Sequence, residues 1–348
     1  MHYHQCFGWC IGLLRVFVAV VQLREIFLIR TSSRCLCASL VLALACPLVS
    51  TVWARGGKLP RFVGTTWSGF SSPYFGALFK QITPENAGKW GNIEPQPGRF
   101  YWRALDRMYA LAARRHLMVK EHNLIWGQQQ PGWVKVQNAR RAVKQWFAAF
   151  ARRYGYRTAL MDVVNEPLQH PPAYRRGLPG GDTRWGWVVW CYRLARRDFP
   201  HTRLLLNDYN ILNSPRNARI YAGLVRRLKA SGLIDGVGCQ AHGLEHTPAK
   251  TIRRCLRIVE STGVPVYISE YDLNWKSGAR QLAQMRSQFP IFWGDPHIVG
   301  ITFWDFLQGH TWLPYTYLIR RNGRPRPAFQ WLEKYLIRQN YWNGKLDH

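Results

Sequence analysis

Acidic side chains are scarce in this chain. Of its 348 residues only 19 are Asp or Glu, against 48 Lys or Arg, for a formal net charge of +29. A protein this basic has few carboxylates to spare, so the position of each one carries information. Cysteine is also thinly spread where a folded domain is expected. Five of the eight (Cys6, Cys10, Cys35, Cys37, Cys46) fall near the N-terminus, leaving Cys191, Cys239 and Cys255. Their spacing fits no zinc pattern, and three is odd, so at least one thiol there is unpaired within the chain. No Gly-rich phosphate loop follows the first apolar run, which argues against a doubly wound nucleotide-binding sheet. Internal repeats and low-complexity linkers are missing too, and no added module is visible after residue 340.

Aromatics are abundant, with 17 Trp, 16 Tyr and 16 Phe, and 47% of residues are hydrophobic. That is ample for one large core, with indole and phenol faces left over for stacking on flat ligands. The charge invites a polyanion as partner. Yet its Arg residues recur as pairs (Arg114-Arg115, Arg140-Arg141, Arg152-Arg153, Arg196-Arg197, Arg226-Arg227, Arg253-Arg254) on segments with helical periodicity. Such pairs suit the solvated outer faces of helices, so nucleic acid is not an expected partner. A polysaccharide carrying acidic groups would suit the same surface. Codon bias towards Arg would explain the pairs as well.

The N-terminal region reads as an export signal. A basic stretch at Arg30–Arg34 precedes an apolar run over Cys35–Val52 that closes at Val52-Trp53-Ala54, the layout of a signal peptide. Residues 1–54 are therefore assigned to an extension plus signal, residues 55–340 to one domain and residues 341–348 to a tail. Export is expected, with a membrane-anchored form as the alternative. Without the four Arg and one Glu before Arg55, the rest of the chain carries +26.

From Arg61 onward, short apolar runs alternate with amphipathic segments. Strands are expected at Phe62–Thr66, Gln81–Thr83, Met118–His122, Leu160–Asn165, Arg203–Asn207, Val237–Gln240, Val266–Ser269 and Ile298–Phe303. Helices are expected at Leu105–Arg115, Arg140–Arg153, Trp185–Arg197, Pro215–Ala230, Thr251–Ser261 and Ala328–Ile337. Eight such units, nearly every strand ending in a polar residue, predict an α/β fold: a single-domain (β/α)8 TIM barrel with its site at the C-terminal face of the strands.

Two strand ends carry carboxylates of special interest. Asp162-Val-Val-Asn-Glu166 and Val266-Tyr-Ile-Ser-Glu270 are apolar runs that stop abruptly at Glu166 and Glu270. A lone Glu at a strand end is more often half of a salt bridge. Two of them, with Asn165 beside the first and His242 and Asp272 near the second, fit an acid and a nucleophile facing one cleft, as glycoside hydrolysis requires. His242 can donate to Glu270 and keep it ionised, while Asp272 fixes the imidazole from behind.

Eight segments in order carry a specific resemblance: Thr83-Pro-Glu-Asn-Ala-Gly-Lys-Trp90, Glu121-His-Asn-Leu-Ile-Trp126, Asp162-Val-Val-Asn-Glu-Pro167, Leu206-Asn-Asp-Tyr-Asn210, Gly238-Cys-Gln-Ala-His242, Ile268-Ser-Glu-Tyr-Asp272, Gly300-Ile-Thr-Phe-Trp304 and Pro325-Arg-Pro-Ala328. The chain resembles glycoside hydrolase family 10, the endo-β-1,4-xylanases, over about residues 60–340. The resemblance implies a retaining double displacement with Glu166 as acid/base and Glu270 as nucleophile. It also implies sugar binding by Glu85, Asn86 and Lys89, a bond-breaking subsite lined by His122, Trp126, Gln129 and Trp304, a substrate contact from Gln240, a cover from Trp312, and Tyr209 on the leaving-group side. Xylan or a related β-1,4-linked polysaccharide is then the partner, with no cofactor, no metal and no obligate protein partner, and the protein is expected to be a monomer. A β-1,4-glucan hydrolase and a non-catalytic polysaccharide-binding barrel are the alternatives.

The chain departs from the family pattern at five positions. Met161 stands where Trp is usual, Gly127 where a second His is usual and Gly88 where Met is usual. After Trp304, Gln308 replaces an acidic residue and His310 an aromatic one. None removes a catalytic carboxylate, and all bear on the shape of the cleft. The short stretch between Asp272 and Ile298 predicts a compact loop after the seventh strand.

Overall fold

The computed structural model describes residues 55–346, so the expected export signal lies outside the described residues. Within them, eight parallel strands close into a barrel in sequence order. They are β1 (Phe62–Trp67), β2 (Gln81–Pro84), β3 (Met118–Ile125), β4 (Leu160–Asn165), β5 (Arg203–Asp208), β6 (Gly236–Cys239), β7 (Val266–Tyr271) and β8 (Ile298–Phe303). All eight fall where the apolar runs place them, and the open-sheet alternative is removed. Val299 is the one strand residue not fully buried. A strand covered on both faces reads as a continuous apolar run rather than an alternating one.

The helices on the outside are α1 (Arg103–Arg114), α2 (Ala139–Tyr154), α3 (Gly186–Asp198), α4 (Pro215–Ala230), α5 (Ala249–Glu260), α6 (Gly278–Gly294) and α7 (Pro327–Arg338), with a single helical turn at Trp90–Ile93. Ser214 caps α4 by accepting from the Asn217 amide, followed by Pro215 in the first turn; both residue types are favoured at these positions. The Arg pairs on α2, α4 and α5 are exposed, as their periodicity predicts. No helix among the described residues is long and apolar enough to cross a membrane.

Two features differ from the expectation. The sequence pattern gives no helix at α6, yet seventeen residues form one, Pro290 included. Its buried face carries Gln281, Gln284 and Gln288 among apolar residues, so the hydrophobic stripe that marks a helix is broken. Those amides tie down loops. Gln281 donates to the carbonyls of Leu273, Tyr315 and Tyr317, and Gln288 to that of Leu244. The loop after β7 is then only Asp272–Ser277. The second difference is the segment assigned to a tail. Tyr341 accepts from the Val63 amide at 2.8 Å, and Trp342 is buried in the core, so the start of that segment packs on the barrel.

The barrel interior is graded. Phe62, Met118, Leu160, Leu205 and Tyr267 fill its N-terminal end. Two residues further along their strands come polar groups such as Lys120, Asp162, Asn207 and Ser269, all buried. Period-two alternation stacks these residues on one inward line, so charge rises from an apolar floor towards the mouth. Cys191, Cys239 and Cys255 are buried free thiols, and burial pushes all three upward, making them inert.

Candidate active site

At that mouth lies a cleft of about 840 Å³. Of the predicted site residues, Glu85, Asn86, Lys89, His122, Trp126, Gln129, Glu166, Tyr209, Gln240, His242, Glu270, Trp304 and Trp312 line it. Asn165 and Asp272 do not; they stand behind it and hold others in place. The backbone is bent to aim these groups. Gln129, Glu166, Asn210, Ala241 and Asp305 adopt left-handed φ values of 45° to 73°. Such conformations cost about 1–3 kcal/mol each for residues other than glycine and persist where surrounding structure enforces them.

Glu166 is buried and its oxygens are fully engaged. Oε1 accepts from Gln240 Nε2 at 2.9 Å and from Asn165 Nδ2 at 3.3 Å. Oε2 accepts from Trp126 Nε1 at 2.7 Å and meets His170 Nδ1 at 2.6 Å. Glu270 lies across the same network. Its Oε1 accepts from Asn207 Nδ2 at 2.6 Å, and its Oε2 meets His242 Nε2 at 3.0 Å. Asn165 joins the halves: its Oδ1 accepts from Asn207 at 2.8 Å and from Gln240 at 3.1 Å. With that oxygen taken twice, Asn165 serves as a bridge between the carboxylates.

His242 is clamped between two carboxylates, with Nδ1 2.7 Å from Asp272 Oδ2. Burial would strip its proton, but the Asp272 charge, the hydrogen bonds to Asp272 and Glu270, and the Glu270 charge prevail and raise it to about 10. Both ring nitrogens therefore donate at neutral pH. Burial would likewise protonate Glu270; the charges of His122, His242 and Lys120 and the His242 hydrogen bond outweigh it and hold the carboxyl at about 2. The His122 share lasts only while that imidazole is charged, and burial lowers its own pKa despite Glu270 and Asp162. At neutral pH the cation hydrogen-bonded to Glu270 is His242.

His122 bonds through Nδ1 to Asp162 Oδ2 at 2.9 Å, an oxygen also held by Lys120 at 2.9 Å. Its ring packs against Trp304 at 5.0 Å between centroids. On the other flank, Lys89 Nζ sits 4.6 Å from the Trp126 ring centroid, a cation–π contact. Burial lowers the Lys89 pKa against the pull of Glu270, Glu85, Glu166 and Asp305. Glu85 is raised, chiefly by burial. Gln129 Nε2 donates to Asn86 Oδ1 at 3.0 Å. Trp312 is 47% exposed, its Nε1 donates to Asp272 at 3.0 Å, and its ring packs against His242 at 4.8 Å between centroids.

Sequence reasoning missed several partners. Asn207 was visible as a strand end, but nothing local marks it as the link from Glu270 to Asn165. His170 and Asp305 were not singled out. Asp305 accepts from Thr66 Oγ1 and from the Trp312 amide, and burial followed by the Glu85 charge raises it to about 7. It thus anchors the loop that presents Trp312. Among the departures, His310 packs against Phe70 with ring centroids 4.7 Å apart and planes tilted by 50°, and Gln308 accepts from the Arg321 amide. Met161 is buried in the core.

A closed parallel barrel whose strand ends bring two carboxylates to one cleft, each fixed by donors from neighbouring strands, is a glycoside hydrolase. The chain belongs to glycosyl hydrolase family 10, whose model matches residues 69–335. It is 37% identical over 280 residues to endo-1,4-beta-xylanase B of Cellvibrio japonicus, covering 78% of this chain and 45% of that protein. It is 28% identical over 286 residues to the endo-1,4-beta-xylanase of Agaricus bisporus, covering 76% of this chain and 85% of that one. Native xylanase 10B from Thermotoga maritima superposes with a TM-score of 0.71 at 22% identity, covering 80% of this chain and 96% of that one. The chain spans less than half the length of the Cellvibrio relative.

Proposed function

We propose that this chain hydrolyses internal β-1,4 bonds of xylan with retention of configuration. One observation carries the reading. Glu270 is held ionised in a buried, donor-rich pocket and is tied through Asn207, Asn165 and Gln240 to a second carboxyl, Glu166, in the same cleft. In the first step Glu270 attacks the anomeric carbon while Glu166 gives its proton to the departing oxygen. In the second, Glu166 takes a proton from water as that water's oxygen displaces Glu270. His242 remains a fixed cation throughout, and Asp272 holds it in register. The relatives named as xylanases support the substrate, and the Trp304 and Trp312 rings offer flat faces to pyranose units.

The test is reducing-end release on glucuronoxylan, neutral arabinoxylan and carboxymethylcellulose, with Glu270→Ala as control and the anomer of the first-formed product read by proton NMR. Xylan cleavage giving the β-anomer, absent in the control, is expected. First-formed α-product would overturn retention, and cleavage of cellulose alone would move the substrate to glucan. Glu166→Ala is expected to lose several orders of magnitude on polymer but far less on aryl glycosides that depart without a proton.

A further inference from the structure

Glu166 has four side-chain partners, and three of them are fixed in what they can do. Trp126 Nε1, Gln240 Nε2 and Asn165 Nδ2 are N–H groups that only donate. Donors favour a carboxylate, yet an acid must carry a proton in the first half of the reaction. His170 is the fourth partner, with Nδ1 2.6 Å from Oε2. An imidazole nitrogen can accept or donate according to where its own hydrogen sits. Its ring is 36% exposed and lines the cleft, so hydrogens exchange between its nitrogens through solvent. Tyr209 stacks on it at 5.6 Å and 20°, fixing the ring plane.

The chain is shaped around this contact. The Gly127 amide donates to the His170 carbonyl at 2.9 Å, and a Cβ at position 127 would stand 2.2 Å from that oxygen. The glycine that replaces a usual His is what lets the His170 loop come in. The His170 amide in turn donates to the Glu166 carbonyl at 2.8 Å.

We propose that His170 is the positioning residue for the working proton of Glu166, accepting from it while Glu166 is the acid and donating to it while Glu166 is the base. The inference rests on the acid/base role proposed above. Before bond cleavage the Glu166 hydrogen lies on Oε2 towards Nδ1, with the single N–H hydrogen of the neutral imidazole on Nε2. When the C–O bond breaks, the Glu166 proton goes to the leaving oxygen, and Glu166 is left as a carboxylate. The imidazole hydrogen then moves to Nδ1 by exchange with solvent and supports that carboxylate until it takes a proton from water. The imidazole hydrogen then returns to Nε2 by the same exchange, so no proton is gained or lost over the cycle.

The experiment compares wild type, His170→Phe and His170→Asn in kcat/KM against pH, on xylan and on a dinitrophenyl β-xylobioside. Phe keeps the stack on Tyr209 and removes both nitrogens; Asn restores an amide group that can accept or donate at the Nδ1 position. For His170→Phe we expect a loss of roughly ten-fold or more on xylan. Its alkaline limb should move down by about one pH unit, because the acceptor that favours the protonated acid is gone. The aryl substrate, which needs no acid, should change by less than about three-fold, and His170→Asn should recover part of the loss. Lys89, Asp208 and Tyr209, the other titratable groups that feel Glu166, are the same in every variant. A His170→Phe profile that superimposes on wild type would refute the proposal, as would equal losses on both substrates. Should the wild type leave xylan uncut, the functional reading itself fails; a cutting wild type with unmoved variants sinks only the role of His170.

Discussion

Replacing Asp272 by Asn should convert a nucleophile that is ionised at any working pH into one that titrates. Asp272 Oδ2 lies 2.7 Å from His242 Nδ1 and is the largest influence raising that imidazole from 6.5 to about 10. At about 1.4 kcal/mol per pH unit, the rise from 6.5 to about 10 puts on the order of 4–5 kcal/mol behind the charged ring. Asn fits the same space and still accepts, but it supplies no charge, so the largest of the influences that raise the ring is withdrawn. His242 then loses its proton near neutrality, and Glu270 loses the cation 3.0 Å from its Oε2. Its carboxyl, held at about 2 in the native chain, must rise. The acid limb of kcat/KM on xylan should move up by about one to two units, with kcat near pH 7 lower by about ten- to hundred-fold. Stability carries a second signature. The raised His242 contributes fully below 6.5 and loses that contribution as pH climbs to about 10; the depressed Glu270 contributes above 4.5 and loses it as pH falls towards 2. The Tm gap between wild type and Asp272→Asn should therefore be widest between 4.5 and 6.5 and narrow towards 10. An acid limb that stays in place, or a Tm gap independent of pH, would refute the reasoning.

Further outcomes are expected elsewhere. Gly127→Ala drives a methyl into the His170 carbonyl, with the nearest oxygen 2.2 Å away; about 1–3 kcal/mol should be lost in urea unfolding, together with activity on xylan. Gly88→Ala meets Glu121 Oε1 at 2.1 Å, and Glu121 is fully buried. Gly88→Ala and Glu121→Ala should therefore be non-additive in a double-mutant cycle, the pair being less destabilised than the sum of the singles. Burial, then the Asp162 charge, raise Glu121 well above the carboxylate range, so Glu121→Gln should reduce the stability lost on going to high pH. The +26 outside the first 54 residues should make binding to glucuronoxylan weaken with salt more than binding to neutral arabinoxylan; equal slopes in a binding titration would detach the charge from the substrate.

What was legible in the sequence follows from where each signal is local. Strands covered on both faces are largely apolar, so β4 and β7 announce themselves, and the carboxylates that close those runs, Glu166 and Glu270, announce the site. The helix α6 hides because its buried face is partly amide. Gln281 and Gln288 are inside to hold loop carbonyls beside the cleft, and they erase the periodicity that would mark the helix. The same reason hid Asn207 and His170. Their importance lies in what they touch across 63 and 4 positions of chain, and no property of Asn or His alone reveals a partner. Gly127 was legible only as a departure from a pattern, and its meaning appears once the His170 carbonyl is found in the room a side chain would need. A departure that opens space therefore has to be read together with whatever moves into it, and here what moves in is the one partner of Glu166 able to accept a proton.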